Sequence, residues 1–272
     1  MRLLLFTTKN HIYANVIVKW IIQQKEYTVV EIIESDRIHP VKNKRDGLLL
    51  YIRRSGWYYT VIQMLKIVLY RLLSSIYGIL PFARPDSVLY RYELIAPKEN
   101  IPVREVNNIN TDEFRTSLKN KNIDLFVSIY FNQIFQPDLL PVPRKGTINI
   151  HPALLPSYQG VSPTFWVLAN GEKKTGITIH TIVNKEIDKG AIVAQKEVVI
   201  YPEDSEHALY MRCTQTAIPL LRKSLHAMGK GSIQQKRIHQ QKSSYYSIPS
   251  KQAVDKFIMQ GRSFFTLTEL IG

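Results

Sequence analysis

Between Asn149 and Gly190 the chain sets an amide, an imidazole and a carboxylate among glycines and prolines that fix the backbone around them. The run reads Asn149-Ile150-His151-Pro152, Leu154-Leu155-Pro156, Gly160-Val161-Ser162-Pro163 and Trp166, then Gly171, Thr175-Gly176, His180 and Asp188-Lys189-Gly190. Its first residues complete an apolar run from Gly146, which reads as a buried strand. Polar groups in that place stand at the carboxyl end of a strand, where α/β sheets bind ligands. Amide, imidazole and carboxylate together can polarise a carbonyl, hold the oxyanion that forms on it and manage the proton of an attacking amine.

The rest of the chain predicts the sheet that such a strand requires. Arg2 to Thr7 is a short apolar run, Tyr13 to Ile21 has helical periodicity, and Thr28 to Ile33 is β-branched and strand-like. A third unit starts at Ile101-Pro102-Val103, with Thr111-Asp112-Glu113 as a helix start, and Ile123 to Ile129 is a further buried strand. Strands alternating with helices imply an α/β fold with a Rossmann-like, mostly parallel sheet. No G-x-G-x-x-G follows the first strand, so a dinucleotide is not indicated. Ile177 to Val183 and Ala191 to Val199 read as two strands joined by the loop Asn184 to Gly190. A helix follows from about Pro202 to Ala227, with a bend expected at Pro219.

Two segments depart from this rhythm. Residues 37–91 form a basic insert in which Tyr59 to Phe82 reads as one long helix, preceded by Arg53, Arg54 and Trp57 and followed by Arg84. Thr60, Gln63, Lys66, Arg71, Ser74, Ser75 and Gly78 fall on one half of it, and Val61, Ile62, Leu65, Val68, Leu69, Leu72, Leu73, Ile76, Ile79 and Leu80 on the other, with Met64 and Ile67 as exceptions. Packing on the sheet, packing on a second subunit in a homodimer, and peripheral contact of 53–84 with an anionic membrane all remain open; Lys66 and Arg71 argue against a full span. The sequence thus divides into a catalytic domain over 1–230 that carries the insert and a tail over 231–272. The tail holds the basic stretch Gln234 to Gln241 and a short helix, Gln252 to Met259, with Val254, Phe257 and Ile258 on its inner side.

The net charge of +14 is unevenly placed: residues 37–91 carry ten basic and two acidic groups and 222–272 nine and two, while 92–221 carry thirteen and fourteen. Such patches attract anionic partners. A basic nucleic-acid-binding protein is one alternative, with Tyr245-Tyr246 as its candidate stacking pair. Cys213 is the sole cysteine, which rules out an intramolecular disulfide and a multi-Cys zinc site, and it reads as a small buried hydrophobe. The expectation is no metal. Lys9-Asn10-His11 interrupts the N-terminal apolar run before a secretory core could form, so the expected location is the cytoplasm, with the inner face of the membrane as the site of any peripheral contact.

The ordered series N-I-H-P, L-L-P and D-x-G resembles the folate-dependent formyltransferases, a family that moves a formyl group from 10-formyltetrahydrofolate to an amine. The resemblance covers most of the chain apart from the insert and the extreme tail. It implies that Asn149, His151 and Asp188 are catalytic, with His180 near the site. It implies a co-substrate pocket at Phe131, Asn132, Gln133 and Ile134 and at Asn184, Lys185, Glu186 and Ile187, with bonds made largely by the main chain. The Gly160 to Trp166 run looks most like the branch that formylates amino sugars, so the acceptor expected is a phosphorylated, nucleotide-linked or lipid-linked amino sugar. A methionyl-tRNA formyltransferase-like enzyme is the alternative within the family, although the tail is too short for the C-terminal barrel of that branch. A formyl hydrolase is a further alternative, disfavoured because the first strand begins at Arg2.

Overall fold

The structure, a computed structural model, describes residues 1–36, 44–232 and 243–271. Its frame is a seven-stranded sheet built from β1 (Arg2–Thr8), β2 (Thr28–Ser35), β3 (Val103–Glu105), β4 (Leu125–Ile129), β5 (Thr147–His151), β7 (Lys174–Ile182) and β8 (Ile192–Val199). The order is β3-β2-β1-β4-β5-β7-β8; the first five are parallel, and β7 runs antiparallel to both of its neighbours. Leu3, Leu4, Leu5 and Phe6 of β1 and Leu125, Phe126 and Val127 of β4 are fully buried, as expected of parallel strands covered on both faces. The chain winds outward from β1 to β2 and β3, then returns to β4 and β5 on the other side. The crevice between β1 and β4 is therefore the switch point at which an open α/β sheet binds its ligand.

On one face of the sheet α1 (Ile12–Ile22) and α6 (Glu206–Lys230) cover Ile148, Ile150, Ile177 and Ile179; on the other, α4 (Asp112–Leu118) contributes Phe114 and Leu118 to a core with Phe6 and Phe126. Thr111 caps α4 by accepting from the Phe114 amide. The α6 helix runs continuously through Pro219 to Lys230, beyond the expected end at Ala227. Cys213 lies buried within it, where desolvation pushes the thiol up to about 12, as suits a packing residue.

The tail packs back on this frame. The two-residue strand β9 (Tyr245–Tyr246) pairs with β6 (Gln159–Gly160), and α7 (Lys251–Met259) lies against α5 (Pro163–Ala169). Val254 and Phe257 of α7 are buried, but Ile258 points outward, because it falls 100° round the helix from Phe257. A short helix α8 (Leu267–Ile271) follows. The basic stretch Gln234 to Gln241 lies outside the described residues, as does the start of the insert at 37–43.

The insert differs most from its sequence reading. It is two helices, α2 (Lys44–Ser55) and α3 (Trp57–Gly78), separated at Gly56, whose φ of 86° is a left-handed value that breaks the helix. Arg53 and Arg54 thus belong to their own helix, and Trp57 opens α3 instead of preceding it. Within the chain, α3 packs through only one edge of its apolar half, where Ile62, Leu69 and Leu73 lie partly buried against the core. Tyr59, Thr60, Lys66, Tyr70 and Ser74 are its buried residues, and Val61, Leu65, Val68, Leu72 and Ile76 are exposed. The inward groups are satisfied in place: Gln63 donates to Glu206 of α6 at 2.7 Å, Lys66 lies 3.8 Å from the same carboxylate, and the Tyr70 hydroxyl donates to the Val88 carbonyl at 3.3 Å. These polar bonds, with Tyr59 against Phe165 and Phe264, tie α3 to the domain.

Phe165 stacks on Phe257 at 5.1 Å, lies 6.4 Å from Phe264 and meets Tyr59 edge-on at 5.7 Å, so one ring joins α5, α7, the segment before α8 and the insert. Phe165→Ala is expected to lower stability by about 3–5 kcal/mol, read as a shift of the urea midpoint. A loss under about 1 kcal/mol would mean that the tail and insert are not held through this cluster.

Candidate active site

Strand parity brings the polar groups together. Asn149 and His151 are two residues apart on β5 and so share a face, while Ile148 and Ile150 point into the core under α1 and α6. Antiparallel pairing sets His180 of β7 directly opposite Asn149, and cross-strand partners project to the same side. The loop after β7 then turns back and delivers Asp188 against all three. Two glycines make that approach geometrically feasible. A Cβ at Gly190 would lie 1.6 Å from the Thr181 carbonyl oxygen, and one at Gly160 2.2 Å from the Tyr246 carbonyl oxygen. Gly160 also has φ of 96°, which favours glycine.

Asp188 is the hub of the cluster. Its Oδ2 accepts from the Gly160 amide at 2.8 Å and lies 3.5 Å from His151 Nδ1; its Oδ1 lies 3.3 Å from His180 Nε2 and 3.4 Å from Asn149 Nδ2. The Gln159 side chain donates to the Asp188 carbonyl at 3.3 Å. Asp188 is 8% exposed, His151 4% and His180 2%. Burial works against the charged carboxyl, but the pull of His151 in its protonated form, the hydrogen bond with His180 and the Gly160 amide outweigh it and put the Asp188 pKa at about 2. The residue is an anion throughout the neutral range.

Hydrogen bonding assigns the ring nitrogens. His151 Nε2 lies 2.8 Å from the Tyr158 carbonyl, which can only accept, so Nε2 carries a proton and Nδ1 is left as a lone pair beside Asp188. Burial lowers the His151 pKa more than Asp188 raises it, so the resting ring is neutral. His180 Nδ1 lies 3.0 Å from the Thr181 carbonyl, and its Nε2 lies between Asn149 Nδ2 at 3.1 Å and Asp188 Oδ1 at 3.3 Å. Asn149 thus directs an amide hydrogen loosely at Asp188, at 3.4 Å, beside the His180 ring. The Leu154-Leu155-Pro156 loop, whose Leu155–Pro156 peptide is cis, is held by Thr178: its hydroxyl donates to the Ala153 carbonyl at 2.6 Å and accepts from the Leu155 amide at 3.2 Å.

The cluster opens into a cavity of about 740 Å³ at the switch-point end of the sheet. One wall is the segment after β4, which includes Phe131, Asn132, Gln133 and Ile134, together with Asn184, Lys185, Glu186 and Ile187 after β7; all eight residues singled out in the sequence line it. The opposite wall was not foreseen. It is made by Asn10, His11 and Tyr13 after β1, by Gln63, Met64, Lys66 and Ile67 of α3, and by Glu206 and Tyr210 of α6. No short motif marks these residues, because only the tertiary fold brings the insert over the sheet. Tyr130, Ser162 and Asp188, all at the cavity, hold φ of 51°, 52° and 55°. Such left-handed values cost non-glycine residues about 1–3 kcal/mol each and are typical of places where the chain is shaped for a ligand.

The sequence profile of the family described as Formyl transferase matches residues 90–225, half of the chain. The chain belongs to the formyl transferase family. It is similar to the bifunctional polymyxin resistance protein ArnA of Wigglesworthia glossinidia brevipalpis, with 36% identity over 149 residues. That stretch is 55% of this chain and 23% of ArnA, so the chain matches less than a quarter of that relative's length. Among solved structures, a sugar N-formyltransferase from Shewanella sp. FDAARGOS_354 shares the fold with a TM-score of 0.57 and 23% identity, over 91% of this chain and 77% of that one. An N-formyltransferase from Helicobacter canadensis, solved with folinic acid and dTDP-3-aminofucose, superposes with a TM-score of 0.58 at 16% identity, over 97% and 80% of the two chains. The family match begins after α3, so both helices of the insert lie outside it.

Tyr246, one of the two tail tyrosines, is stacked on Tyr158 at 5.0 Å and packs on Trp166 at 4.7 Å, so it closes the Gly160 loop from behind and is no free platform for a base.

The buried histidines set an acid limit on this fold. His207, hydrogen-bonded to the Tyr13 hydroxyl at 3.0 Å, is lowered by burial to about 4, and His11, whose Nδ1 caps α1 by accepting from the Ala14 amide, to about 3. His151 shifts in the same direction. The unfolded chain takes up protons on these rings below about pH 6.5 and the native chain does not, so stability falls as pH drops. Between pH 7 and 5 the slope is expected to reach about 1.4 kcal/mol per unit for each such ring. Urea unfolding across this range measures it, and a flat profile would contradict the burial of neutral rings.

Proposed function

We propose that this chain transfers a formyl group from 10-formyltetrahydrofolate to the amine of an amino sugar held on a nucleotide or lipid carrier. One observation carries the reading: Asn149, His151, His180 and Asp188 converge at one end of a single cavity whose wall is the paired loops 131–134 and 184–187. Family membership supports the reaction class. The sugar branch is supported by the structural relatives, which include a sugar N-formyltransferase and an N-formyltransferase solved with folinic acid and a nucleotide-linked amino sugar.

The residues present fit a reduced folate. Phe131, Ile134, Ile182 and Ile187 make the loop wall apolar enough for a flat heterocycle. Bound there, the folate supplies an activated formyl carbon. The chain's own groups do the rest. Asn149 is the donor for the oxygen on which negative charge develops: its long 3.4 Å contact to Asp188 is the hydrogen it releases. His151 Nδ1 is the vacant base position, and a proton taken there from the attacking amine forms an imidazolium that Asp188 Oδ2 stabilises from 3.5 Å. The same proton is then available to the departing nitrogen, so the enzyme ends as it began. His180 is a positioning residue, fixing the Asn149 amide and the Asp188 carboxylate from one ring nitrogen.

Asn149→Ala is expected to lower kcat about 100- to 1000-fold, the usual loss of an oxyanion donor, with His151→Ala and Asp188→Ala at least as severe. Double variants should lose far less than the product of the single effects, because the groups serve one transition state. The assay is formyl transfer from 10-formyltetrahydrofolate to a panel of amino-sugar nucleotides, lipid-linked amino sugars and charged initiator transfer RNA. Thermal shift with 5-formyltetrahydrofolate checks that each variant still folds and binds. Near-normal turnover in any of the three variants would falsify the assignment, and transfer to transfer RNA alone would overturn the choice of acceptor.

A further inference from the structure

Two features of α3 are absorbed neither by the catalytic cluster nor by the core. The first is its outward face. Trp57, Val61, Leu65, Val68, Leu72 and Ile76 repeat at steps of three and four and make one stripe about 100° wide, continued by Ile79 beyond the helix end. Val68 and Leu72 are each 56% exposed and Ile79 is 83% exposed. From Trp57 to Ile79 the stripe is roughly 33 Å long at 1.5 Å per residue, longer than the small apolar patches that soluble monomers leave open. The helix is long and apolar enough by composition to cross a bilayer. Gln63 and Lys66, however, hold its other face on Glu206, so it can only lie along a surface.

The second feature is charge. Residues 44–91 carry eight basic and two acidic groups. Arg71 lies about 60° round the helix from Val68, Arg53 and Arg54 end the preceding helix, and Arg84 follows the stripe; all four are exposed. An apolar stripe bordered by basic side chains and opened by a tryptophan matches an anionic lipid interface. A second copy of the chain fits less well, because it would bring two basic borders together.

We propose that α3 seats the protein on an anionic membrane surface, its stripe among the lipid chains and its arginines among the headgroups. Met64 lines the cavity and is exposed about 20° round the helix from the edge of the stripe, so the cavity opens next to that surface. On the reading of function given above, an amino sugar tethered to a lipid reaches His151 and Asp188 without leaving the bilayer.

Flotation of the full chain with vesicles tests the seat. Wild type is expected to float with phosphatidylcholine–phosphatidylglycerol vesicles at low salt, to be released as salt rises, and to float weakly with phosphatidylcholine alone. Val68→Glu/Leu72→Glu is expected to reduce the bound fraction at least about tenfold. Neither residue lines the cavity, so formyl transfer to a water-soluble amino-sugar nucleotide without vesicles stays at the wild-type level. Absence of wild-type flotation, or equal flotation of the variant, overturns the proposal. So does a salt-resistant dimer that the variant converts to monomer without any vesicle binding, which would make the stripe an interface between copies. Failure of wild type to transfer formyl groups in solution counts against the function and leaves the flotation result standing.

Discussion

The charge of Asp188 is the constraint around which the site is arranged. A carboxylate that is almost fully buried needs compensation, and here it comes from one backbone amide, the His180 ring and an amide side chain, with the His151 ring adding to it once protonated. Each demands something of the fold. The Gly160 amide can reach Oδ2 only because that position has no side chain to strike the Tyr246 carbonyl. The two rings and the amide can converge only because β7 runs antiparallel to β5 and sets His180 across from Asn149. Asp188 itself accepts a left-handed backbone to close the circle. The tail enters the same account: β9 pairs with β6 and Tyr246 stacks behind the Gly160 loop, so residues more than eighty positions along the chain fix the amide that holds the carboxylate.

Much of this was legible before the structure, for definite physical reasons. The β5 strand could be read because isoleucines alternate with Asn149 and His151, a period that only a strand sustains. The partnership with Asp188 and His180 came from a motif series, since residues thirty to forty positions apart carry no local signal of contact. The sheet was readable where strands are continuous apolar runs, as in β1 and β4, and unreadable at β6 and β9, which are two residues each and exist only through their pairing.

The insert shows where periodicity stops being informative. The division of α3 into polar and apolar halves is visible in the sequence, and the usual inference is that the apolar half faces the protein. Here the inward half carries Gln63 and Lys66, because Glu206 at the start of α6 satisfies both and Tyr59 and Tyr70 supply the burial. No pattern within residues 57–78 encodes a carboxylate at position 206. The same long-range contact puts Met64 and Ile67 on the cavity wall, so the segment outside the family match helps to shape the ligand space.

If a buried Asp188 anion beside a neutral His151 organises this site, the ring nitrogens of His151 report it directly. Nitrogen-15 NMR of the histidine side chains in wild type and Asp188→Asn is the measurement. The account predicts a neutral His151 ring at pH 7 with its proton on Nε2, titrating below the ordinary 6.5, and a still lower titration once the carboxylate is removed. A His151 ring that is charged at pH 7, carries its proton on Nδ1, or titrates identically in Asp188→Asn would contradict it.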